Sequence, residues 1–431
     1  MFQFSALKNS LSKSEFTKNS VTLVIGSVLA QTLPIALSPI ISRLYTPDNI
    51  AVWGLYMSIT TILLSTANGG YELSIMLPQK EEDAINLFSL TILITFLTCC
   101  IFLLIALFFN NHISILLHNE SIAIWLIFVP LSVFILSLTN SLTHWFNRKG
   151  NYKIIAMNKV NKNWGITIAQ FLFGSTNHKP IGLISGQIIG ELASAVLLGI
   201  NFIKGKYFSL LESNFSIQKI KKLASEHKKF PLFTMPTVLL NNISSEVLTI
   251  LVAIWFSNGL TGAYYFSVRL LSAPMALIGS SVSQVFFRKF STIINEGTQD
   301  AKKFILKIWL GLIAIAVLPL TILYVWGEYL FVFVFGQEWG NAGKIASIMA
   351  PMILFTFASS PTGIGLVVLR KQNHNLLFGI FVFLYRPFSF YLGYKFNDFF
   401  LGLKILVAFE ILNVLVYNAI MWNHIDKLKT I

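Results

Sequence analysis

Seven charged side chains interrupt long apolar runs of this sequence: Glu72, Glu191, Glu246, Arg269, Arg386, Lys404 and Glu410. Each costs roughly 2.5–3.5 kcal/mol to place in hydrocarbon, so each needs a partner, the interior of a helix bundle or a watered cavity. Their types define the chemistry on offer. A guanidinium forks onto phosphate oxygens and keeps its charge in a low dielectric. A desolvated carboxylate takes up a proton or holds a cation. At helical spacing Arg269 is flanked by Gly262, Tyr265, Ser272, Ala273 and Ala276, with Ser280 and Ser283 further along, while Leu260, Leu271, Ile278 and Val285 occupy the other face. Glu72 completes a second row, with Gly54, Ser58, Thr61, Ser65 and Asn68 within about 60° of one meridian of a continuous helix. Both rows predict helix faces that line a polar pathway. Ser27, Gln31, Ser38 and Ser42 form a shorter row; so do Gln187, Glu191 and Ser194, and Asn242, Glu246 and Thr249. For these three, lining the pathway and ordinary interhelical hydrogen bonding are equally open. Arg386, Lys404 and Glu410 have fewer polar companions, and Lys404 lies where it can snorkel from a helix end.

The elements that must position these groups follow from composition. The chain has 431 residues, is 55% apolar and 12% charged, and has a mean hydropathy of +0.70. Ordinary soluble domains are about a quarter charged, so a water-soluble enzyme is excluded. The expected class is an all-α integral membrane protein. Apolar windows predict twelve spans, near 21–42, 50–77, 87–109, 122–142, 154–175, 181–203, 232–256, 260–286, 306–326, 345–369, 376–394 and 399–421. The fifth is the weakest, because it opens with Asn158, Lys159, Asn161, Lys162 and Asn163.

Twelve spans put both termini on one side, and the segments on that side hold 25 of the 32 Lys and Arg residues. The positive-inside tendency makes that side cytoplasmic. The net charge of +14 is therefore a matter of sidedness and needs no nucleic-acid partner. Lys8, Lys13 and Lys18 precede a first run too long for a signal peptide, which reads as an uncleaved span. The basic stretch 204–231 separates a lobe over 1–203 from one over 232–431. Within it Ile217, Ile220 and Leu223 interleave with Lys219, Lys221 and Lys222, as in a segment lying on anionic headgroups or in a solvated linker. The openings of the second and eighth spans, Asn49–Trp53 and Gly259–Tyr264, echo each other and favour a six-plus-six repeat.

Several chemistries lack their residues. Gly336–Lys344 has neither the spacing nor the hydroxyl of a phosphate-binding loop, so no ATP site is expected. The seven histidines fall in loops or at span ends without a metal pair, and adjacent Cys99 and Cys100 cannot readily bridge. No cofactor, metal or covalent catalysis is expected, and coupling to an H+ or Na+ gradient stays open.

Longer motifs carry a resemblance. FPLFTMPTVLLNN (230–242), GAYYFSVRLLSAP (262–274), IGSSVSQVFF (278–287), FGQEWGNAG (335–343) and APMILFTFASSP (350–361) stand in the second half, and SPIISRLYTPDNIAVWGLY (38–56), GYELSIMLP (70–78) and WFNRKGNYKIIA (145–156) in the first. Together they resemble the Wzx-type O-antigen and oligosaccharide flippases of the polysaccharide transporter family, within the MATE-like exporter superfamily. The resemblance implies two six-helix lobes in a V. It also implies a flippase in a bacterial inner membrane that moves undecaprenyl-diphosphate-linked oligosaccharide to the periplasmic leaflet by alternating access, with a polysaccharide polymerase as a further partner. Arg269 would then meet the diphosphate, and Glu72, Asn68, Ser65, Gln31, Ser272 and Asn242 the glycan cavity, with Glu72 or Glu246 coupling an ion. The chain departs from the family pattern at Gly70, where a basic residue often precedes Tyr-Glu, and at Ala51, where Gly is common. A membrane enzyme of the same pathway, a polymerase or acyltransferase, and a drug or cation antiporter of the same fold are the competing readings.

Overall fold

The computed structural model describes residues 15–176, 180–295, 301–369 and 371–428, with no strand among them. The expected basic residues Lys8, Lys13, Lys179 and Arg370 and the loop residue His178 lie outside the described residues, as do the side chains of Lys18, Ala276 and Ser280. Twelve long helices follow the twelve apolar runs in order. They are α1 (Glu15–Leu44), α2 (Pro47–Ala67), α3 (Glu81–Leu116), α4 (Val129–Arg148), α5 (Tyr152–Ser175), α6 (Ile181–Lys204), α7 (Met235–Trp255), α8 (Asn258–Asn295), α9 (Ala301–Phe335), α10 (Gly340–Ser359), α11 (Gln372–Lys395) and α12 (Phe399–Leu428). Among the described residues nine helical stretches are long and apolar enough to cross a membrane, or ten when Glu120–Leu126 and α4, bent by 51°, count as one. The full twelve crossings are thus not all met on apolarity. α5 and α8 fall outside the count, α5 in keeping with the polar side chains of its first turns and α8 with Arg269 and the serines of its length.

The chain forms two compact units, one from Met1–Tyr45 and Leu55–Asn242, the other from Thr46–Gly54 and Ile243–Ile431. This division differs from the expected lobes. The 204–231 connector is part of the first unit, and the start of α2 belongs with the second.

In the first unit α6 packs on α5 through glycine. A Cβ at Gly190 would stand 2.5 Å from the Ile166 backbone nitrogen, so only a residue without one allows this approach. The core gathers Ile85, Phe88, Trp145, Phe146, Leu198 and Phe202. Outward, α3 exposes Leu93, Phe96, Leu97, Ile101, Leu104 and Phe108. Such a surface belongs against acyl chains rather than water.

The connector folds into two short helices, Tyr207–Asn214 and Ile217–Glu226. Ser216 caps the second by accepting the Lys219 amide. Ile220 and Leu223 are buried in the same core as Phe88 and Trp145. Asn86 clamps the turn between the helices: its amide donates to the Asn214 carbonyl (2.9 Å) and its oxygen accepts from the Ser216 amide (3.0 Å). Lys219 pairs with Glu82 at 2.6 Å, and that carboxylate raises the lysine pKa above its ordinary value. The apolar face expected on headgroups or free in solvent is therefore docked on protein; only Ile217 of the three remains exposed.

In the second unit Gly327 and Gly343 bring α9 and α10 together, and Gly393 and Gly402 do so for α11 and α12. Phe286, Phe290, Ile305, Leu366 and Met421 are at its core.

Leu223→Ala should remove about 2–5 kcal/mol of packing and loosen the connector. Trypsin cleavage after Lys219, Lys221 and Lys222 is expected to quicken about tenfold or more, with the exposed Ile217→Ala unchanged. Equal cleavage rates in the two variants would contradict a docked connector.

Candidate substrate-contact sites

The second unit carries Arg269 on α8. Its guanidinium lies over the Trp53 ring, 4.2 Å from the centroid, and the side chain stays exposed. Tyr265, one turn earlier, meets the same indole edge-on at 5.6 Å. Two glycines allow this. A Cβ at Gly262 would fall 1.8 Å from the Pro47 carbonyl oxygen, and one at Gly54 would fall 2.7 Å from the Tyr265 ring. α8 can therefore lie directly on the first turns of α2, which explains why those turns belong to this unit. A guanidinium over an indole gains about 0.5–2 kcal/mol. Ser272 is exposed beside it, with its hydroxyl turned back to the Arg269 carbonyl at 3.2 Å.

Glu246 of α7 is half-buried and acts electrostatically on both Tyr264 and Tyr265. Tyr265 also feels Arg269, and Tyr264 feels Arg386 and Glu410. The same unit holds an ion pair whose carboxylate is buried. That pair is Arg386 of α11, whose Nε donates to Glu410 Oε1 of α12 at 2.6 Å. Arg386 also donates to the Ser244 carbonyl (3.2 Å) and the Ser245 hydroxyl (3.4 Å) of α7. Sequence reasoning undervalued this pair because it weighed each charge by its polar neighbours on its own helix. A usable signal was present: opposite charges in consecutive helices, at similar distances from the short turn that joins them.

In the first unit the row on α2 is not the open face that was expected. Ser58, Ser65 and Asn68 are buried. Thr61 and Ser65 turn their hydroxyls to carbonyls of their own helix, at 2.8 and 2.7 Å, and Ser65 accepts from Asn242 at 3.1 Å. Nor does the helix reach Glu72. It ends at Ala67, Gly69 and Gly70 take left-handed backbones (φ +62° and +74°), and Tyr71–Met76 forms a separate 3-10 turn. The departure at Gly70 has its reason here, since a side chain at that φ is strained. Glu72 is held near the row by Asn68, whose amide donates to its carboxylate and, more weakly, to Ser137 (3.4 Å), while Asn68 Oδ1 accepts the Gly70 amide at 2.9 Å. Ser137 in turn meets Thr95 at 2.9 Å. In this turn between helices, burial pushes the Glu72 carboxyl above its ordinary value, and the Asn68 bond opposes that rise.

The shorter rows separate likewise. Gln31 is half-buried on α1, whereas Ser27, Ser38 and Ser42 donate to carbonyls of their own helix. Gln187 donates to the buried Glu191 at 2.6 Å, and Asn158 to Ser194 at 2.9 Å. No cluster of three His, Cys, Asp or Glu side chains suited to a metal occurs among the described residues.

A family model described as "Polysaccharide biosynthesis protein" matches residues 40–344. The chain belongs to the polysaccharide biosynthesis protein family. A comparison with curated proteins gives no match. Among solved structures the chain is similar to an inward-facing multidrug resistance MATE family transporter of the MOP superfamily, at 12% identity and a TM-score of 0.72, over 94% of this chain and 96% of that one. It is also similar to the lipid II flippase MurJ in its inward closed conformation, at 16% identity and a TM-score of 0.66, over 96% and 90%. A third is a MOP superfamily transporter from Pyrococcus furiosus, at 12%, with a TM-score of 0.57 over 96% of each chain. This member of the polysaccharide biosynthesis family therefore has the fold of MOP-superfamily transporters and is a multi-pass membrane protein.

Two outcomes follow from the charges. Arg386→Gln leaves Glu410 buried without its ion pair and should cost about 3–5 kcal/mol, while the double variant Arg386→Met with Glu410→Met recovers most of that; thermal unfolding in detergent measures both. Glu72 prefers its proton more in the folded protein than in the unfolded one, so its contribution to stability is lost as pH rises above the ordinary glutamate range. Glu72→Gln should accordingly melt no lower than the parent at pH 7, with any advantage shrinking as pH falls towards 4.5, and a melting gain that grows on acidification would refute the assignment.

Proposed function

We propose that this protein is a flippase for undecaprenyl-diphosphate-linked oligosaccharide units, carrying them from the cytoplasmic to the periplasmic leaflet for O-antigen, capsule or a related surface polymer. Membership of the polysaccharide biosynthesis family and the MOP-transporter fold support the class. The observation that carries the reading is Arg269, an exposed guanidinium on α8 that lies over the Trp53 ring, where a diphosphate can reach it. Such a substrate has a greasy tail that stays in lipid, a dianionic link and a polar glycan. Ser272, exposed beside Arg269, offers a hydroxyl to the glycan, whereas Ser65 and Asn68 are buried and spent on contacts within the first unit. Transport proceeds by alternating access between two states of the bundle, driven by an H+ or Na+ gradient, with Glu246 or Glu72 as the coupling carboxylate. The membrane is the bacterial inner membrane with both termini cytoplasmic, as the distribution of Lys and Arg supports, and a polysaccharide polymerase is the partner that takes the delivered units.

Lipid II is the substrate named for MurJ, one of the similar folds, and it supports a lipid-linked cargo here. The competing membrane-enzyme reading would leave unpolymerised units on the outer face of cells lacking the protein, whereas a flippase leaves them on the inner face. In proteoliposomes charged with a fluorescent undecaprenyl-diphosphate glycan, Arg269→Gln should slow flipping about ten- to a hundredfold with thermal stability retained, and Arg269→Lys should lie between. Undiminished flipping by Arg269→Gln would remove the diphosphate contact. Within that assay Glu246→Gln is expected to flip at a rate indifferent to the imposed gradient, and an unchanged gradient response would remove it as the coupling group.

A further inference from the structure

The second unit contains a cavity that the proposed transport path does not use. Its volume is about 870 Å³, and its lining comes from three helices: Trp326, Glu328 and Tyr329 of α9, Lys344 of α10, and Phe400 and Lys404 of α12. α9 is broken for the purpose. Trp326 leaves helical geometry (φ −117°, ψ 15°), and Ser347 of α10 donates to the Leu323 carbonyl at 3.0 Å, one turn before the break. The last turns of α9 then run along α10 through the Gly327–Gly343 contact, where a Cβ on Gly343 would stand 2.5 Å from the Gly327 carbonyl oxygen.

Charge decides what this cavity suits. Glu328 and Lys344 pair at 3.2 Å and cancel. Lys404, one turn into α12 and exposed, has no hydrogen-bond or ion-pair partner among the described residues. The cavity therefore carries one uncompensated positive charge, a second ammonium close by, and aromatic rings at its mouth, with Trp326 and Tyr329 exposed. Aromatic and basic side chains together mark the depth of the headgroups. All the lining residues lie towards the ends of α9, α10 and α12 that adjoin the 336–339 and 396–398 turns. An ammonium without a partner at that depth is a point charge suited to phosphate, and this volume is typical of small-molecule pockets.

We propose that this cavity binds the phosphate headgroup of an anionic membrane phospholipid, with Lys404 as the main contact and Lys344, released in part from Glu328, as the second. The proposal does not depend on the flippase reading, because its readout is lipid retention and not transport.

The full chain, reconstituted in phosphatidylcholine nanodiscs containing a minor fraction of phosphatidylglycerol, is released into the gas phase and its bound lipids are counted by mass spectrometry. The native chain is expected to retain phosphatidylglycerol selectively. Lys404→Gln should weaken that retention about tenfold and Lys344→Gln by a similar factor, while Lys395→Gln, an exposed lysine of α11 outside the cavity, leaves it unchanged. Glu328→Gln removes the one carboxylate among the described lining residues and should tighten retention several-fold, an effect in the opposite direction that loss of folding cannot imitate. Equal retention by Lys404→Gln and the native chain, equal losses for Lys404→Gln and Lys395→Gln, or weaker retention by Glu328→Gln would each overturn the proposal. So would displacement of phosphatidylglycerol by inorganic phosphate at equal concentration, which would make the site one for a soluble anion.

Discussion

The cost of a charge in hydrocarbon governs this structure more than any attractive contact does. A side chain such as Arg386 is tolerable at depth only because a carboxylate and a carbonyl meet it, and Glu410 only because Arg386 does. Four of these charges meet that cost in three different ways. Arg386 and Glu410 neutralise each other in the interior. Arg269 spreads its charge over an indole and stays at an exposed face. Lys404 lies near a helix end and opens into a cavity. The pair is a structural element, whereas the other two retain unspent electrostatic capacity, and that is where anionic ligands are to be sought.

Positioning that capacity depends on small residues. Without a hydrophobic force to drive helices together in lipid, close backbone approach has to supply packing energy. Gly262 on the Pro47 carbonyl, Gly190 on α5 and Gly343 on Gly327 are three instances at which any Cβ would meet backbone. The first bears on function most directly. By letting α8 lie on the start of α2, it places Trp53 under Arg269. The echo between Asn49–Trp53 and Gly259–Tyr264 is thus more than a trace of repetition, because the two stretches pack on each other within one unit.

Much of the helix pattern was legible in the sequence because apolarity over about twenty residues is a local and redundant signal. The run 50–77 shows its limit: hydropathy does not register that Gly69 and Gly70 reverse the backbone, so the row through Asn68 was extended to Glu72 across a break. The connector shows another. Alternating lysines and aliphatics in 217–223 specify an amphipathic helix but not what covers its apolar face, and the answer depended on Asn86, far away in sequence. The burial of Ser58 and Ser65 was hidden for a related reason. A hydroxyl in a helix can bond its own preceding turn, which makes serine a weak witness for a watered face.

Arg269 differs from those serines in what it can do with burial. A hydroxyl that finds no outside partner loses little by folding back onto a carbonyl, and Thr61, Ser65 and Ser272 all do so. A guanidinium has five donors in a rigid fork, too many for one ring face to occupy, and its charge is not removed by any neighbour's geometry. The contact with Trp53 restrains the side chain while leaving it exposed. A lysine at this position would keep the charge and lose the restraint. The pairing of arginine with tryptophan therefore differs in kind from the polar ties that the serines make within their own helices.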